Sequence, residues 1–265
     1  MKRWRLLDLL LCSVLWLAAC GQVEALRSPR LVQAAEFNQR AQHAFRHGEY
    51  EQAATLYERA LQVDMAIEHA DGIAINTLNL ARVNQVRGQP ALAEHLLDRL
   101  LDDQALHFAP AYLTEAAVQK SLLRLRAEDA AAASIWLDRA VSWCNPDCKL
   151  NGVIANVRAG IALQGQDGAQ ALSWSERAAA ENRDVPLEYA NALRLQASAR
   201  MLQKAPDAAL PLAEEALRID KALGLPEKIR QDLLLLAQVQ ERRGQPELAA
   251  QYRERAARIA AIGLK

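Results

Sequence analysis

The feature that most restricts the fold of this chain is a set of four residue columns that returns six times, at steps of 38 or 40 positions. The first column of small residues is Ala41, Ala81, Ser121, Ala159, Ala197 and Ala237. The second is Ala53, Ala93, Ala133, Ala171, Ala209 and Ala249, and the third, mostly small, is Ala60, Leu100, Ala140, Ala178, Ala216 and Ala256. A bulky column lies three positions after the second, at Leu56, Leu96, Trp136, Trp174, Leu212 and Tyr252. Four columns in one register indicate an internal repeat.

Each copy of the repeat is predicted to be a pair of antiparallel helices. Small residues allow two helices to approach closely, and one large neighbour fills the space beside the crossing. Gly48, Gly88 and Gly244 fall between the two helices, and Pro90 and Pro246 follow the last two glycines by two positions. Glycine ends a helix well and proline is tolerated in a first turn, so these residues mark the turn of a hairpin. A single hairpin cannot bury its apolar face, so we expect six of them to stack into an all-α solenoid.

The copy from Ala35 to Asp64, AEFNQRAQHAFRHGEYEQAATLYERALQVD, resembles the tetratricopeptide repeat (TPR). The positions that match the family pattern are Gly48, Tyr50, Ala53, Tyr57, Ala60 and Asp64. The resemblance implies a right-handed solenoid of about six hairpins, in which the first helix of each hairpin lines a concave groove for protein partners. The later copies are more degenerate, and their period exceeds the roughly 34 residues usual in the family.

The N-terminus is typical of a secretory signal peptide. MKRWR is basic, the stretch from Leu9 to Leu17 is apolar, and Ala18 and Ala19 are small residues of the kind that precede a cleavage point. The apolar stretch is about half as long as a membrane-spanning helix requires. A transmembrane anchor is therefore the weaker interpretation.

The sequence Leu17-Ala18-Ala19-Cys20 resembles the lipobox of bacterial lipoproteins. The resemblance implies that the chain is cut before Cys20, that diacylglycerol is attached to its thiol and that the new amine is acylated. An ordinary signal peptide followed by a coincidental cysteine is the alternative. Gly21 stands where an aspartate would favour the inner membrane, so the implied location is the periplasmic face of the outer membrane.

The sequence thus divides into three predicted parts. Residues 1–19 are the cleaved signal peptide and include Cys12. Residues 20–32 are the lipidated cysteine and a tether, and residues 33–265 are the solenoid. Several acyl chains hold a protein on a membrane far more stably than a single chain does.

Charge and motifs argue against several other classes of protein. The chain has 32 Lys and Arg against 32 Asp and Glu, whereas nucleic-acid binders usually carry a basic surplus, so no nucleic-acid partner is expected. It has no HExxH, no GxSxG and no Gly-rich phosphate loop, so we expect neither enzyme activity nor a cofactor. His43 and His47 share one helix face without an evident third ligand, so no metal site is expected. A solute- or glycan-binding module and an enzyme built on an α-solenoid remain the alternatives.

Cys144 and Cys148 flank a short turn sequence, Asn-Pro-Asp, where the third hairpin passes to the fourth. Two cysteines this close in an oxidising periplasm favour a disulfide. Its loop is short, so its main effect would be to stiffen one corner of the solenoid. Two reduced thiols, or a metal or redox role, are the alternatives.

The repeat register also predicts which side chains face the groove. The polar set consists of amides, arginines and one hydroxyl, which can hydrogen-bond an extended peptide or its carboxylates. Its members are Asn38, Gln42, Asn79, Arg82, Gln119, Asn156, Arg194, Ser198 and Gln238. The apolar residues between them are Leu78, Val118, Leu122, Val157 and Leu195. The expected partners are other envelope proteins or peptides, with the membrane contacted through the lipid anchor.

Overall fold

The computed structural model describes residues 28–144 and 148–262. These residues form twelve α-helices and no strand. The predicted signal peptide, the lipobox cysteine Cys20 and the tether up to residue 27 lie outside the described residues. Within the described ranges, no helix is both long and apolar enough to cross a membrane.

The twelve helices are separated by short turns. They are α1 (Pro29–Arg46), α2 (Tyr50–Met65), α3 (Ala70–Val86), α4 (Pro90–Asp102), α5 (Pro110–Arg126), α6 (Ala130–Trp143), α7 (Asn151–Gln164), α8 (Gly168–Glu181), α9 (Pro186–Leu202), α10 (Pro206–Leu223), α11 (Pro226–Arg242) and α12 (Pro246–Ile262). Seven of them begin with proline, which lacks the N–H that a first turn cannot satisfy.

The helices pair in chain order into six hairpins, numbered 1 to 6, and each hairpin packs against the next. We call the odd-numbered helices the first helices and the even-numbered ones the second helices. The predicted columns lie at these contacts: the first two small columns are at most 1% exposed throughout. The third column is also buried, with Leu100 the most exposed of its six residues at 3%. The prediction of an all-α solenoid of TPR-like hairpins is therefore confirmed.

The turn between the two helices of each hairpin contains one residue with positive φ. Gly48, Gly88 and Gly244 occupy it with φ of 78°, 72° and 73°. The other three hairpins place residues other than glycine at the equivalent position: Glu128, Gln166 and Lys204, with φ between 58° and 60°. The left-handed conformation is thus a property of the repeat, and the glycine pattern reveals only half of its occurrences.

The boundary between tether and solenoid differs from the prediction. Residues 29–32, assigned to the tether from the sequence, form the first turn of α1. Pro29 takes the first helical position, where its fixed φ is already suited to a helix. Ala34 at the next turn is only 3% exposed, which shows that packing of the solenoid begins close to the helix start.

Candidate functional site: the inner face of the solenoid

The first helices lie on the inside of the curved solenoid. Each first helix contacts the first helix of the next hairpin, from α1 and α3 through to α9 and α11. Within the described residues, the backbones of second helices in neighbouring hairpins do not come as close to each other. Elements on the inside of a curved stack are closer together than those on the outside. The inner face, defined by α1, α3, α5, α7, α9 and α11, is therefore the concave groove expected from the repeat.

Several predicted groove residues bond to the neighbouring hairpin. Arg82 forms an ion pair with Glu115, with a distance of 2.7 Å between Nη2 and Oε1. Asn156 donates through Nδ2 to the backbone oxygen and a carboxylate oxygen of Glu188, both at 3.0 Å. Gln119 donates to the backbone oxygen of Leu78 at 3.4 Å. These side chains tie consecutive first helices together.

The predicted groove residues differ in how much of their side chains is exposed. Gln119 and Asn156 are buried, at 6% and 7% exposed, whereas Gln42, Arg82 and Gln238 are exposed. Asn79 accepts a long hydrogen bond from Arg82, and Ser198 donates to the backbone of its own helix. Partner binding stays a prediction for the whole set, and the exposed members have side chains accessible to a partner.

Three of the five predicted apolar groove residues belong to the core. Leu78, Val118 and Val157 are at most 3% exposed, so the expectation that they contact a partner is wrong for them. The cause is the close approach of neighbouring first helices, which covers the apolar positions between them. Leu122 and Leu195 remain partly exposed.

The tryptophans of the bulky column do not line the inner face. Trp136 and Trp174 are on the second helices α6 and α8 and are half-buried. Cations cover them: Lys120 Nζ lies 4.0 Å from the ring centroid of Trp136, and Arg158 Cζ lies 4.9 Å from that of Trp174. These aromatic rings therefore pack within the solenoid, as their column predicts.

The remaining sequence candidates are two cysteines between α6 and α7 and two histidines near the end of α1. Cys144 and Cys148 form a disulfide with their Cα atoms 5.3 Å apart, between the end of α6 and the start of α7. The rings of His43 and His47 contact each other, with centroids 4.3 Å apart. In the described part of the chain, no group of three His, Cys, Asp or Glu residues has the arrangement of a metal site.

Sequence reasoning missed a buried charge cluster between hairpins 5 and 6. Asp220 at the end of α10 and Asp232 on α11 are both 0% exposed. Arg194 on α9 bridges them: Nε lies 2.6 Å from Asp232 Oδ1, and Nη2 pairs with Asp220. The other oxygens, Asp220 Oδ1 and Asp232 Oδ2, are buried without another hydrogen-bond partner. One cation thus faces two buried carboxyls.

The same network occurs between hairpins 1 and 2 with less charge. Asp64, Asn76 and Asn38 lie four repeat steps before Asp220, Asp232 and Arg194, 156 positions earlier in each case. Asn76 donates to Asp64 Oδ2 at 2.8 Å and accepts from Asn38 at 2.6 Å. An asparagine here supplies the hydrogen that Asp232 can supply only when it is protonated.

Burial raises the pKa of Asp232 to about 6, and the adjacent Asp220 carboxyl adds to the effect while Arg194 opposes it. When it is protonated, Asp232 can supply a hydrogen to the Asp220 carboxylate, as Asn76 does to Asp64. Ionisation of Asp232 is costly because the charge would be buried and would lie beside a second carboxyl. The ordinary value is 3.8, so the folded chain retains this proton through a range in which the unfolded chain releases it.

The replacement Asp232→Asn is expected to change stability by no more than about 0.5 kcal/mol at pH 4 and to raise it at pH 8 by about 2–3 kcal/mol. As the pH rises from about 4 through about 6, the unfolded chain loses the proton first, so the wild type becomes less stable. Urea unfolding at both pH values measures the difference between the two proteins. Asp138→Asn, at a largely exposed position, is the matched control. A variant destabilised equally at both pH values would contradict a proton held on Asp232.

The fold and its inner face define a TPR-like α-solenoid, the architecture of proteins that hold partners along a groove. The crystal structure of BtubC (BKLC) from P. vanneervenii is similar, with a TM-score of 0.54 and 20% identity over 89% of this chain and 92% of that one. Pseudomonas aeruginosa PilF is similar as well, with a TM-score of 0.56 and 17% identity over 85% of this chain and 90% of PilF. No protein-family model and no curated protein sequence matches the chain.

Proposed function

We propose that the chain is a lipoprotein of the outer membrane, anchored through Cys20 and facing the periplasm. Its solenoid is a non-enzymatic scaffold that holds protein partners in its groove during the assembly or regulation of a cell-envelope machine. Pilus or secretin biogenesis, outer-membrane protein assembly and control of peptidoglycan enzymes are the processes proposed. The observation that carries the scaffold role is the continuous inner face, on which six first helices from successive hairpins lie side by side.

The properties of the inner face suit protein binding. It carries amide and charged side chains, of which Gln42 and Arg82 are exposed. Such groups hydrogen-bond to an extended backbone or to its side chains. The similarity to PilF and BtubC supports the fold that provides this face. The lipid anchor rests on the lipobox resemblance of Leu17 to Cys20.

Photo-crosslinking in intact cells tests the groove, and palmitate labelling tests the lipid anchor. A crosslinking amino acid placed at Gln42 or Arg82 is expected to capture a defined envelope protein, identified by mass spectrometry. The same group at Ile135, which is 63% exposed on the second helix α6, is the matched control and should not capture it. In Cys20→Ala, palmitate labelling of the protein should be lost, and the crosslinked product should decrease.

The crosslinks and the palmitate label test separate parts of the proposal, so one part can be contradicted while the other stands. Capture of the same proteins from Ile135 as from the inner face would contradict a groove scaffold. A wild-type protein that takes up no palmitate would contradict the lipoprotein assignment and leave the groove to be judged by the crosslinks alone.

A further inference from the structure

An apolar cavity lies on the outer side of the solenoid, between hairpins 1 and 2. Side chains of the second helices α2 and α4 form its walls, α3 forms its floor, and the connection between α4 and α5 closes one side. The backbones of neighbouring second helices do not come as close to each other as those of first helices, which leaves this space between α2 and α4. Six apolar side chains that line it are not fully buried: Leu61, Met65, Ile73, Leu96, Leu106 and Phe108.

Side-chain packing and hydrogen bonds hold the boundary of the cavity in place. Leu96 packs against the core clusters of both hairpin 1 and hairpin 2, and Phe108 packs against the second of these clusters. In the connection between α4 and α5, Asp103 Oδ1 accepts hydrogen bonds from the backbone N–H groups of Ala105 at 2.8 Å and Leu106 at 3.0 Å. The helices and the connection therefore bound one defined space.

The volume of the cavity suits one aliphatic side chain. It measures about 80 Å³, whereas an apolar cavity of about 150 Å³ holds a benzene ring and sites for drug-sized ligands span about 300–1,000 Å³. Met65, which lines the cavity, is 46% exposed, and methionine adapts its flexible side chain to different apolar partners. A small apolar cavity of this kind is typical of pockets that hold one anchor residue of a protein partner.

Two polar groups that line the cavity have no partner within the described residues. Thr77 is only 6% exposed, yet its hydroxyl makes no hydrogen bond, so it needs an acceptor once water is displaced. Arg99 is exposed and forms neither an ion pair nor a hydrogen bond. Asp103 also lines the cavity, but its carboxylate already accepts the two backbone hydrogen bonds of the connection. A peptide carbonyl can accept from Thr77, and a carboxylate beside the anchor can pair with Arg99.

We propose that this cavity receives one aliphatic side chain of a protein partner, from a segment in which an acidic residue stands next to the aliphatic one. The aliphatic group fills the space between α2 and α4, and the acidic group pairs with Arg99 at the rim. The outer cavity is a second site of partner contact on the scaffold proposed above. None of its residues belongs to the predicted groove set.

Methyl NMR of methionine tests the site, because the chain has three methionines. Met65 lines the cavity and serves as the reporter, whereas Met201 lies on α9, near the end of the inner face, and serves as the internal control. The full chain, with carbon-13 in its methionine methyl groups, is placed in phosphatidylcholine nanodiscs, because the alkyl chains of a detergent can enter an apolar cavity. Met65→Leu and Met201→Leu assign the two signals.

Three tetrapeptides with blocked ends, GLEG, GAEG and GLQG, are the probes. Addition of GLEG is expected to shift the Met65 signal to saturation while the Met201 signal stays in place. GLEG should bind at least about tenfold more tightly than GAEG, because leucine buries more apolar surface than alanine. GLQG should bind about two- to fivefold more weakly than GLEG, since an ion pair with an exposed arginine contributes little. Equal affinities for GLEG and GAEG, or equal shifts of the two methionines, would overturn the proposal.

The same measurement identifies other occupants. A Met65 signal that responds to octanoate but not to GLEG would show that the cavity takes a lipid-like chain. A Met65 signal that moves when the protein is diluted without peptide would show that a second copy of the chain fills the cavity. Either result contradicts a partner side chain as the occupant.

Two variants locate the peptide in the cavity. Leu106→Phe fills part of the space, so it should weaken GLEG binding at least about tenfold without lowering the urea midpoint. Leu92→Phe, at a position of α4 that is 52% exposed, is the matched control and should leave the affinity unchanged. Arg99→Gln should reduce the affinity for GLEG to that for GLQG, whereas Arg183→Gln, at an exposed turn position, should not. GLEG binding that survives Leu106→Phe would contradict the site, and the comparison of the three peptides on the wild type does not depend on the folding of any variant.

The outcome is distinguishable from that of the scaffold proposal. If groove crosslinkers capture an envelope protein but GLEG does not shift Met65, the outer-cavity assignment is wrong and the scaffold function stands. If the crosslinkers capture nothing and GLEG binds at Met65, the groove scaffold fails and the outer cavity remains a peptide site.

Discussion

Replacement of Arg194 by methionine is expected to lower the free energy of unfolding by about 3–5 kcal/mol at pH 7.5. The substitution leaves Asp220 and Asp232, both 0% exposed, without the guanidinium that contacts them. Removal of one partner from a buried ion pair costs far more than removal of an exposed pair, because the remaining charge cannot regain its hydration. Urea unfolding monitored by circular dichroism measures the loss.

Two comparisons make the Arg194 prediction specific to buried charge. Arg243→Met breaks an ion pair with Asp207, whose side chain is 83% exposed, and should cost less than about 1 kcal/mol. Addition of Asp232→Asn to Arg194→Met should raise stability by more than the same change does in the wild type, because Arg194 is no longer present to offset the second buried charge. The two changes are in contact and are expected to be non-additive. An Asp232→Asn gain of the same size with and without Arg194 would show that packing of the arginine stem, not charge, dominates.

Truncation of Leu97 to alanine should destabilise the solenoid by about 3 kcal/mol. Leu97 on α4 is 0% exposed and packs in one cluster with residues of both neighbouring first helices, including Leu78 of α3 and Ala116 of α5. The cavity would therefore weaken the contact between hairpins 2 and 3 as well as the interior of hairpin 2. In a stack that has only neighbour contacts, a weak interface lowers cooperativity along the chain.

Leu92→Ala on the same helix is the matched control for this prediction. Leu92 is 52% exposed, so the same truncation should cost no more than about 0.5 kcal/mol. Urea unfolding of both variants gives the two free energies, and the slope of the transition reports cooperativity. If the two truncations cost the same, the packing around Leu97 is not that of a filled core.

The sequence predicted the hairpins well because their contacts require small residues. Ala53 and its five equivalents can be found without a structure, since close approach of two helices excludes large side chains at the crossing. The turns were only partly predictable. Glycine at position 48 indicates a left-handed residue, whereas Glu128 adopts the same conformation although glutamate gives no indication of it.

The inner face was harder to predict because it depends on curvature. A periodic pattern places Gln119 and Asn156 on the groove side of their helices, but it does not say how near the next first helix lies. The structure brings these helices into contact, so both side chains are buried and bond across the gap. The charge cluster had a detectable signal, since Asp64 and Asp220 share one repeat column, as do Asn76 and Asp232.

First helices and second helices differ in how closely they approach their neighbours, and this difference has a mechanical consequence. Neighbouring first helices lie close together and exchange hydrogen bonds, whereas the backbones of neighbouring second helices in the described part of the chain do not approach each other as closely. A change in curvature therefore acts most directly on the hydrogen bonds and ion pairs along the inside. We expect an occupant of the groove that replaces exposed members of this set, such as the Arg82–Glu115 ion pair, to change the pitch of the solenoid.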